Sequence, residues 1–323
     1  MRARLVDDGG EAASSPTDFF RSPEFLAAES ATHSLLIDAG GVGVAAALPL
    51  LVREIPGAED EHDAISPYGY PGGALAGDPL DPALVDWSET GLVSVFVREA
   101  AGRPVFSTAG ERGALQIADP GLKSGVRPRL REQIRATERS GYALESIEGA
   151  GSSPGQRAAF EHIYTETMRR TGASGRYFFD SAYFEAALAS TTTTLLLCHA
   201  PDGEPAAGAI AAESDGVLHY FLGGTADAHL EASPMKSLFA AMIGLAKELK
   251  MPLSLGGGLS PGDGLERFKR GFANTTLPFQ TTELVLDAPA YQRLSSAPTT
   301  PSSGAPDVSS APSFFPAYRA HSA

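Results

Sequence analysis

The segment Gly256–Phe272, GGGLSPGDGLERFKRGF, crowds Arg267, Lys269 and Arg270 around Phe268 and Phe272, directly after a glycine-rich stretch. Glycines let backbone amides come close to a phosphate or an oxyanion. Lys269 at such a place can offset negative charge on an intermediate or on a phosphate-bearing group. The same residues also read as the solvated basic end of a helix. A second segment, Ser66–Gly73, reads SPYGYPGG. Pro67 and Pro71 fix φ, while Gly69 and Gly72-Gly73 permit a sharp reversal. The result is either a preorganised loop aiming Tyr68 and Tyr70 at a ligand, or a strand-ending turn whose phenol rings pack on the core. Glu61 and Asp63, just upstream, could meet an ammonium or take its proton. In LHYFLGGT, Tyr220 alternates with His219 along a strand, so only one of the two can face a cleft. Tyr220 is a candidate proton relay, or else a core tyrosine beside Phe221.

Basic residues also gather in one place. Arg127, Arg131, Arg135 and Arg139 fall at four-residue spacing and would share one face of a helix that begins by Arg127. With Lys123 and Arg129 the segment holds six basic and two acidic residues. Such a stripe can hold phosphates, or it is a solvated helix paired to nearby acids. Arg169 and Arg170, near Tyr177, form a second candidate phosphate contact, with a water-facing helix end as the alternative. No Ser–His–Asp or Cys–His constellation is visible. The single cysteine, Cys198, lies inside the apolar run TTLLLCHA and reads as a buried small residue. The seven histidines are scattered and form no metal-binding pattern.

These groups need a scaffold, and a duplication supplies it. FFRSPEFLAAESATHSLLI from Phe19 aligns with FFDSAYFEAALASTTTTLLL from Phe178. Phe19/Phe178, Phe20/Phe179, Ser22/Ser181 and Phe25/Phe184 match at one offset. Strand, glycine turn and strand follow in both copies, a hairpin signature. YGYPGG then stands where the second copy has YFLGGT. Each copy therefore reads as helix, hairpin, further strand, helix, strand. In the second copy Ser233 is the expected N-cap and Pro234 the first helical residue, followed by an apolar stripe from Met235 to Leu249. Another helix is expected from Pro154 to Gly172, and a basic helix ending at Gly141 precedes the strand YALESIE. The whole is a mixed α/β architecture with two similar sheets. From Ser295 to Ala323, Ser, Pro and Ala supply 19 of 29 residues, which predicts disorder. A net charge of −14 argues against broad nucleic-acid binding but not against a local basic patch. One cysteine, no secretory h-region and no apolar run of about 18 residues lead us to expect a cytoplasmic protein without a membrane span.

YTETMRRTGASGRYFFDSAYF, HYFLGGTADAHLEASPMKSLF, GGGLSPGDGLERFKRGF and SPYGYPGG, in their order and spacing, resemble the FemAB-type aminoacyl and acyl transferases of the GNAT superfamily. The likeness spans residues 15 to 287. It implies two tandem GNAT-like subdomains, expected at 1–140 and 141–290 with a disordered tail at 291–323, each a twisted mixed sheet flanked by helices. It implies transfer of an activated acyl group to a primary amine. That reaction needs proton removal, oxyanion stabilisation and a leaving-group proton. By resemblance, Lys269 is the electrostatic stabiliser and Tyr220 a relay to the leaving oxygen. Tyr68, Gly69 and Tyr70 line the acceptor site, and Arg127, Arg131, Arg135, Arg169, Tyr177, Phe268 and Arg270 contact substrate. Acetyl-CoA-dependent GNAT proteins carry a glycine-containing pyrophosphate loop at the entry to the helix after the central strand. Here that place reads AHLEASPMKSL, without glycine and with Pro234. The expected donor is therefore aminoacyl-tRNA, held by its acceptor end, with acyl-CoA as the alternative. The expected acceptor is an amine-bearing small molecule, peptide or peptidoglycan precursor. No tightly bound cofactor or metal is expected. A catalytically silent binding module is the third reading.

Overall fold

The computed structural model describes residues 1–41, 43–258, 260, 262–296 and 314–320. In chain order the elements begin with β1 (Arg2–Asp7), α1 (Pro23–Ala28), β2 (His33–Asp38), β3 (Val44–Ile55), β4 (Ala58–Ile65), β5 (Ala74–Leu75), β6 (Asp86–Glu89) and β7 (Leu92–Arg98). They continue with β8 (Gly110–Ala118), α2 (Pro128–Arg139), β9 (Ala143–Glu148), α3 (Pro154–Thr171), α4 (Ser181–Ala189), β10 (Thr193–His199) and β11 (Pro205–Ser214). They end with β12 (Val217–Thr225), α5 (Met235–Leu249), β13 (Leu253–Ser254), α6 (Gly264–Arg270), β14 (Thr275–Val285) and α7 (Ala288–Ser296). Two compact units share these elements. Unit 1 comprises 1–13, 30–111 and 280–323; unit 2 comprises 14–29 and 112–279. The boundaries thus fall at 111/112 and 279/280, against the expected 140/141 and 290/291.

Unit 1 is built on a mixed sheet in the order β6-β1-β2-β3-β4-β7, with β5 on β3 and Thr281–Val285 of β14 on β7. Its strands β2, β3 and β7 are apolar and buried in continuous runs, so both of their faces are covered. Leu35 pairs with Leu48, Val52 with Ala64, and Ala64 with Val95. The core holds Leu35, Ile37, Leu48, Val95, Val97, Val105 and Phe106. The helix expected in the first copy after YGYPGG does not form. Residues Pro82–Leu84 make a 3-10 turn, followed by β6 and β7. Two prolines and Gly91 leave too short an uninterrupted run for a helix, and Trp87 ties the turn instead, donating from Nε1 to the Pro82 carbonyl at 3.0 Å.

The segment expected to be disordered also differs. Helix α7 runs through Ser296, and Phe314–Ala320 is placed against unit 1. Arg319 and Tyr318 reach Asp63, and Phe315 stacks on Tyr291. The other residues of that expectation, 297–313 and 321–323, lie outside the described residues.

In unit 2 the sheet order is β8-β13-β12-β11-β10-β9. Its two faces are covered by different helices. Leu238, Phe239, Met242 and Ala246 of α5 pack on Leu196, Cys198, Ala207, Ala209 and Leu218, with Ile134 of α2 in the same core. On the other face α3 approaches closely because Gly208 and Gly224 have no side chain. A Cβ there would lie 2.8 Å from Phe160 and 2.4 Å from Thr167. Helix α3 has the expected span, ended by Gly172 at φ 62°, and the structure adds a capping box of Ser153 and Gln156 at its start. At α5 the expectation is off by one residue. Pro234 is the N-cap, and Ser233 has φ 51° with its hydroxyl donating to the Leu230 carbonyl. The duplication survives as matched helices α1 and α4 and matched hairpins β2-β3 and β10-β11. Helix α1 and its phenylalanines belong to unit 2, where Phe25 meets Tyr183 of α4 at 6.2 Å between ring centroids.

Candidate active site

Strand β12 carries a one-residue bulge. Ile210 pairs with Leu222 and Ala211 with Tyr220, so Phe221 is the extra residue. In a regular strand Tyr220 and Gly223 would face opposite sides. The bulge puts both on the α5 side, and the Tyr220 ring lies over Gly223. A Cβ at Gly223 would sit 2.7 Å from Tyr220 Cε2 and 2.8 Å from its Oη. Phe239 of α5 supports the ring edge-on at 5.0 Å. Burial raises the Tyr220 pKa, so the phenol stays protonated and can donate. Among the described residues no group hydrogen-bonds its hydroxyl. His219 points the other way, against Phe20 at 5.1 Å. Burial pushes its pKa down to about 3, which removes it as a base at neutral pH.

Lys269 does not end in bulk solvent. It is 7 % exposed and its Nζ donates to the Gly257 carbonyl at 2.8 Å. The same ammonium lies 5.6 Å from the centre of the Tyr220 ring. Helix α6 aims it there. Asp263 caps α6 by accepting from the Glu266 amide at 2.7 Å and also accepts from the Ser260 amide at 3.0 Å. Phe268 and Phe272 pack with Phe239 at 5.3 and 5.2 Å, which fixes the helix's rotation. Burial lowers the Lys269 pKa to about 8, against the opposing pull of the Asp263 carboxylate. An ammonium has three donors, and among the described residues only Gly257 takes one. The arrangement is a buried cation with spare donors beside a protonated phenol. It can stabilise an oxyanion and hand a proton to a leaving oxygen. Asp263 escaped sequence reasoning, although the SPGDG run before a helix is an N-cap signal.

The remaining candidates divide. Phe268 belongs to the Lys269 group. Arg270 does not: it is exposed and paired with Glu266, four residues back on α6. Arg127 is the N-cap of α2, and Arg131 and Arg135 follow on the helix, all exposed. Arg135 and Arg139 share Glu132 at 4.0 and 2.9 Å. Leu130 and Ile134 turn inward and seat α2 on the core beside α5. The turn into α2 is held closely, since a Cβ on Gly125 would lie 1.8 Å from the Ala273 carbonyl oxygen. Arg129 also raises the local positive potential. Together with burial it lowers the pKa of Lys236 in the first turn of α5. In that turn the Lys236 and Ser237 amides already donate to the Ser233 and Pro234 carbonyls. Arg169 is exposed at the end of α3. Arg170 is a clamp, bonded to Asp227 and to the Thr225 carbonyl. Tyr177 lies under Arg176, whose guanidinium is 4.7 Å from the ring centre.

In unit 1, the Ser66–Gly73 loop is held from both ends. The Arg98 amide donates to Ser66 Oγ and its guanidinium to the Ser66 carbonyl, both at 2.8 Å. Gly69 and Gly72 have φ 89° and 48°, a region side chains disfavour. Gly72 and Gly73 pack so tightly that a Cβ on either would lie 2.7 Å from backbone atoms of Ala100 or Ala47. Tyr68 and Tyr70 are half-buried, and burial with the neighbouring Tyr68 raises the Tyr70 pKa. The carboxylates upstream are not available for an ammonium. Asp63 is buried between Arg53 and Arg319, and Glu61 pairs with Arg293. Among the described residues no group of three or more His, Cys, Asp or Glu side chains could hold a metal ion.

Residues 124–270 match the family model described as "Acetyltransferase (GNAT) domain". No curated protein matches the chain in sequence. Among solved structures, FemX is similar in fold at 12% identity and a TM-score of 0.59, covering 80% of this chain and 89% of that one. The C-terminal domain of a putative lysylphosphatidylglycerol synthetase from Agrobacterium fabrum is 14% identical with a TM-score of 0.56, covering 88% and 91%. L-PGS from Bacillus licheniformis is also 14% identical, with a TM-score of 0.52, covering 83% and 88%.

Proposed function

We propose that this protein moves an aminoacyl group from aminoacyl-tRNA to a primary amine; the match of residues 124–270 to the GNAT acetyltransferase family model and the similarity in fold to FemX support the reading. The observation that carries the reading is Lys269, a buried ammonium beside the Tyr220 phenol. In the proposed reaction the deprotonated amine attacks the ester carbonyl carbon and a C–N bond forms. The carbonyl oxygen takes the electron pair and becomes an oxyanion, which Lys269 neutralises. Collapse breaks the C–O bond to the ribose. Tyr220 protonates the departing oxygen and is restored by the proton the amine releases, so the proton count balances.

The donor assignment is supported by two features. The exposed Arg127, Arg131 and Arg135 offer phosphate contacts along one helix. The first turn of α5 uses its Lys236 and Ser237 amides internally and has Pro234 in place of a donor, which suits a nucleotide pyrophosphate poorly. One fold neighbour is a putative lysylphosphatidylglycerol synthetase, a name that fits transfer of an aminoacyl group. The proposed acceptor is a small molecule, peptide or peptidoglycan precursor, with Tyr68, Gly69 and Tyr70 as its candidate contacts. The match to an acetyltransferase family model supports acyl-CoA as the competing donor.

The test supplies purified protein with total charged tRNA carrying labelled amino acids and a panel of primary amines. Label should enter an amide that survives mild base, and ribonuclease pretreatment should abolish it. Amide formed only with acyl-CoA would replace this reading with the N-acyltransferase. No product with either donor would favour a binding module.

A further inference from the structure

We propose that unit 1 carries a peptide-recognition site, centred on Asp63, whose ligand is an aromatic–Pro–x–Tyr–Arg segment, and that Phe314–Ala320 of this chain occupies it as an exchangeable ligand. The site reads three side chains. Arg319 inserts its guanidinium against the Asp63 carboxylate, with Nη2 at 3.0 Å from Oδ1, and donates to the Glu54 carbonyl at 2.6 Å. Its side chain is 15% exposed and that of Asp63 1%. Tyr318 places its hydroxyl 2.8 Å from Ser94 Oγ and 3.2 Å from Asp63 Oδ2. Phe315 stacks on Tyr291 at 5.9 Å and approaches Phe96 at 6.3 Å. The Ala317 amide donates to the Tyr291 hydroxyl at 3.0 Å.

Beyond the packing of Tyr318 on the Ile55, Val93 and Ala290 cluster, these contacts are polar, charged or ring-to-ring, as in ligand binding. Side chains of β3, β4, β7 and α7 meet a seven-residue segment whose regular structure is one 3-10 turn, Ala317–Arg319. Asp63 does not depend on the segment for neutrality, because Arg53 already lies 2.9 Å from it. Withdrawal of Arg319 therefore leaves no uncompensated buried charge, the condition that would lock the segment in. The seat also touches the candidate acceptor loop. Phe96, against which Phe315 rests, lies 5.4 Å from the Arg98 guanidinium, and Arg98 holds Ser66.

The test uses the full chain with a fluorophore on a thiol introduced by Ala323→Cys. Cys198 is buried and its thiol is pushed up to about 11, so it does not compete for the label. A tethered ligand acts at an effective concentration on the order of millimolar, so free FFPAYRA peptide is titrated through that range. The expected result is a fall in label anisotropy to the value of the Phe315→Ala/Arg319→Ala chain, with no effect of a scrambled peptide. Equal anisotropy in the parent and doubly substituted chains overturns the proposal. So does a parent value that the peptide cannot lower, which would mark a fixed part of the fold, or equal displacement by the scrambled peptide. Thermal unfolding of the substituted chain, expected unchanged within a few degrees, shows that the readout reports docking.

Discussion

The Lys269 ammonium is 7 % exposed and bonded to a single carbonyl, and Asp263 partly offsets the cost of its burial. That balance has a direction. With its pKa lowered to about 8, Lys269 is cationic below that pH and neutral above it. If the cation stabilises the oxyanion, the transfer rate falls about tenfold per pH unit above pH 8. The acceptor amine works the other way, since it must lose its proton, so the profile is a bell. Lys269→Arg keeps a charge that does not titrate in this range. It should lower the rate but abolish the alkaline limb; a limb that persists in the arginine enzyme would assign it to another group. Tyr220 shows how a residue's role depends on its strand. Alternation alone sets it opposite His219, and the structure agrees. The phenylalanine bulge that brings Gly223 beneath it is an irregularity in pairing, and no composition signal announces it.

At the scale of elements, α2 presents its arginines outward by seating Leu130 and Ile134 inward. Arg131→Ala with Arg135→Ala should raise the KM for charged tRNA about tenfold at moderate salt. The slope of log affinity against log salt should shrink by about 1.5, as expected for two lost phosphate contacts. Unchanged kinetics and slope would return α2 to a solvated helix. The turn that launches α2 is a separate matter of packing. Gly125→Ala drives a methyl group into the Ala273 carbonyl and should cost about 2–3 kcal/mol in chemical denaturation; a neutral effect would mean that the turn relaxes freely. Much at this scale was legible. The start of α3 at Pro154, the Gly172 and Gly141 stops, and the paired hairpins follow from local chemistry. What was not legible is non-local. Helix α1 joins unit 2 although 14–29 is followed in the chain by unit 1 strands. A Ser-, Pro- and Ala-rich context hid the docking of Tyr318 and Arg319, because their partner Asp63 is some 250 residues away.

For the molecule as a whole, the mixed α/β class was readable from the alternation of strand and helix signals. The division into units was not, since contact between distant segments decides it. A net charge of −14 beside an exposed arginine helix separates bulk repulsion from local phosphate attraction. Among the described residues no helix is long and apolar enough to cross a membrane.

The reading stands or falls on whether Lys269 acts in the chemical step. Single-turnover transfer from charged tRNA to a reactive amine, compared between the parent chain and Lys269→Met, measures this. Removing one oxyanion-stabilising group should slow the step by about 100- to 1,000-fold, with tRNA affinity within about twofold and an unfolding temperature no lower. A Lys269→Met chain that transfers at the parent rate, with equal tRNA binding and equal stability, would contradict the account.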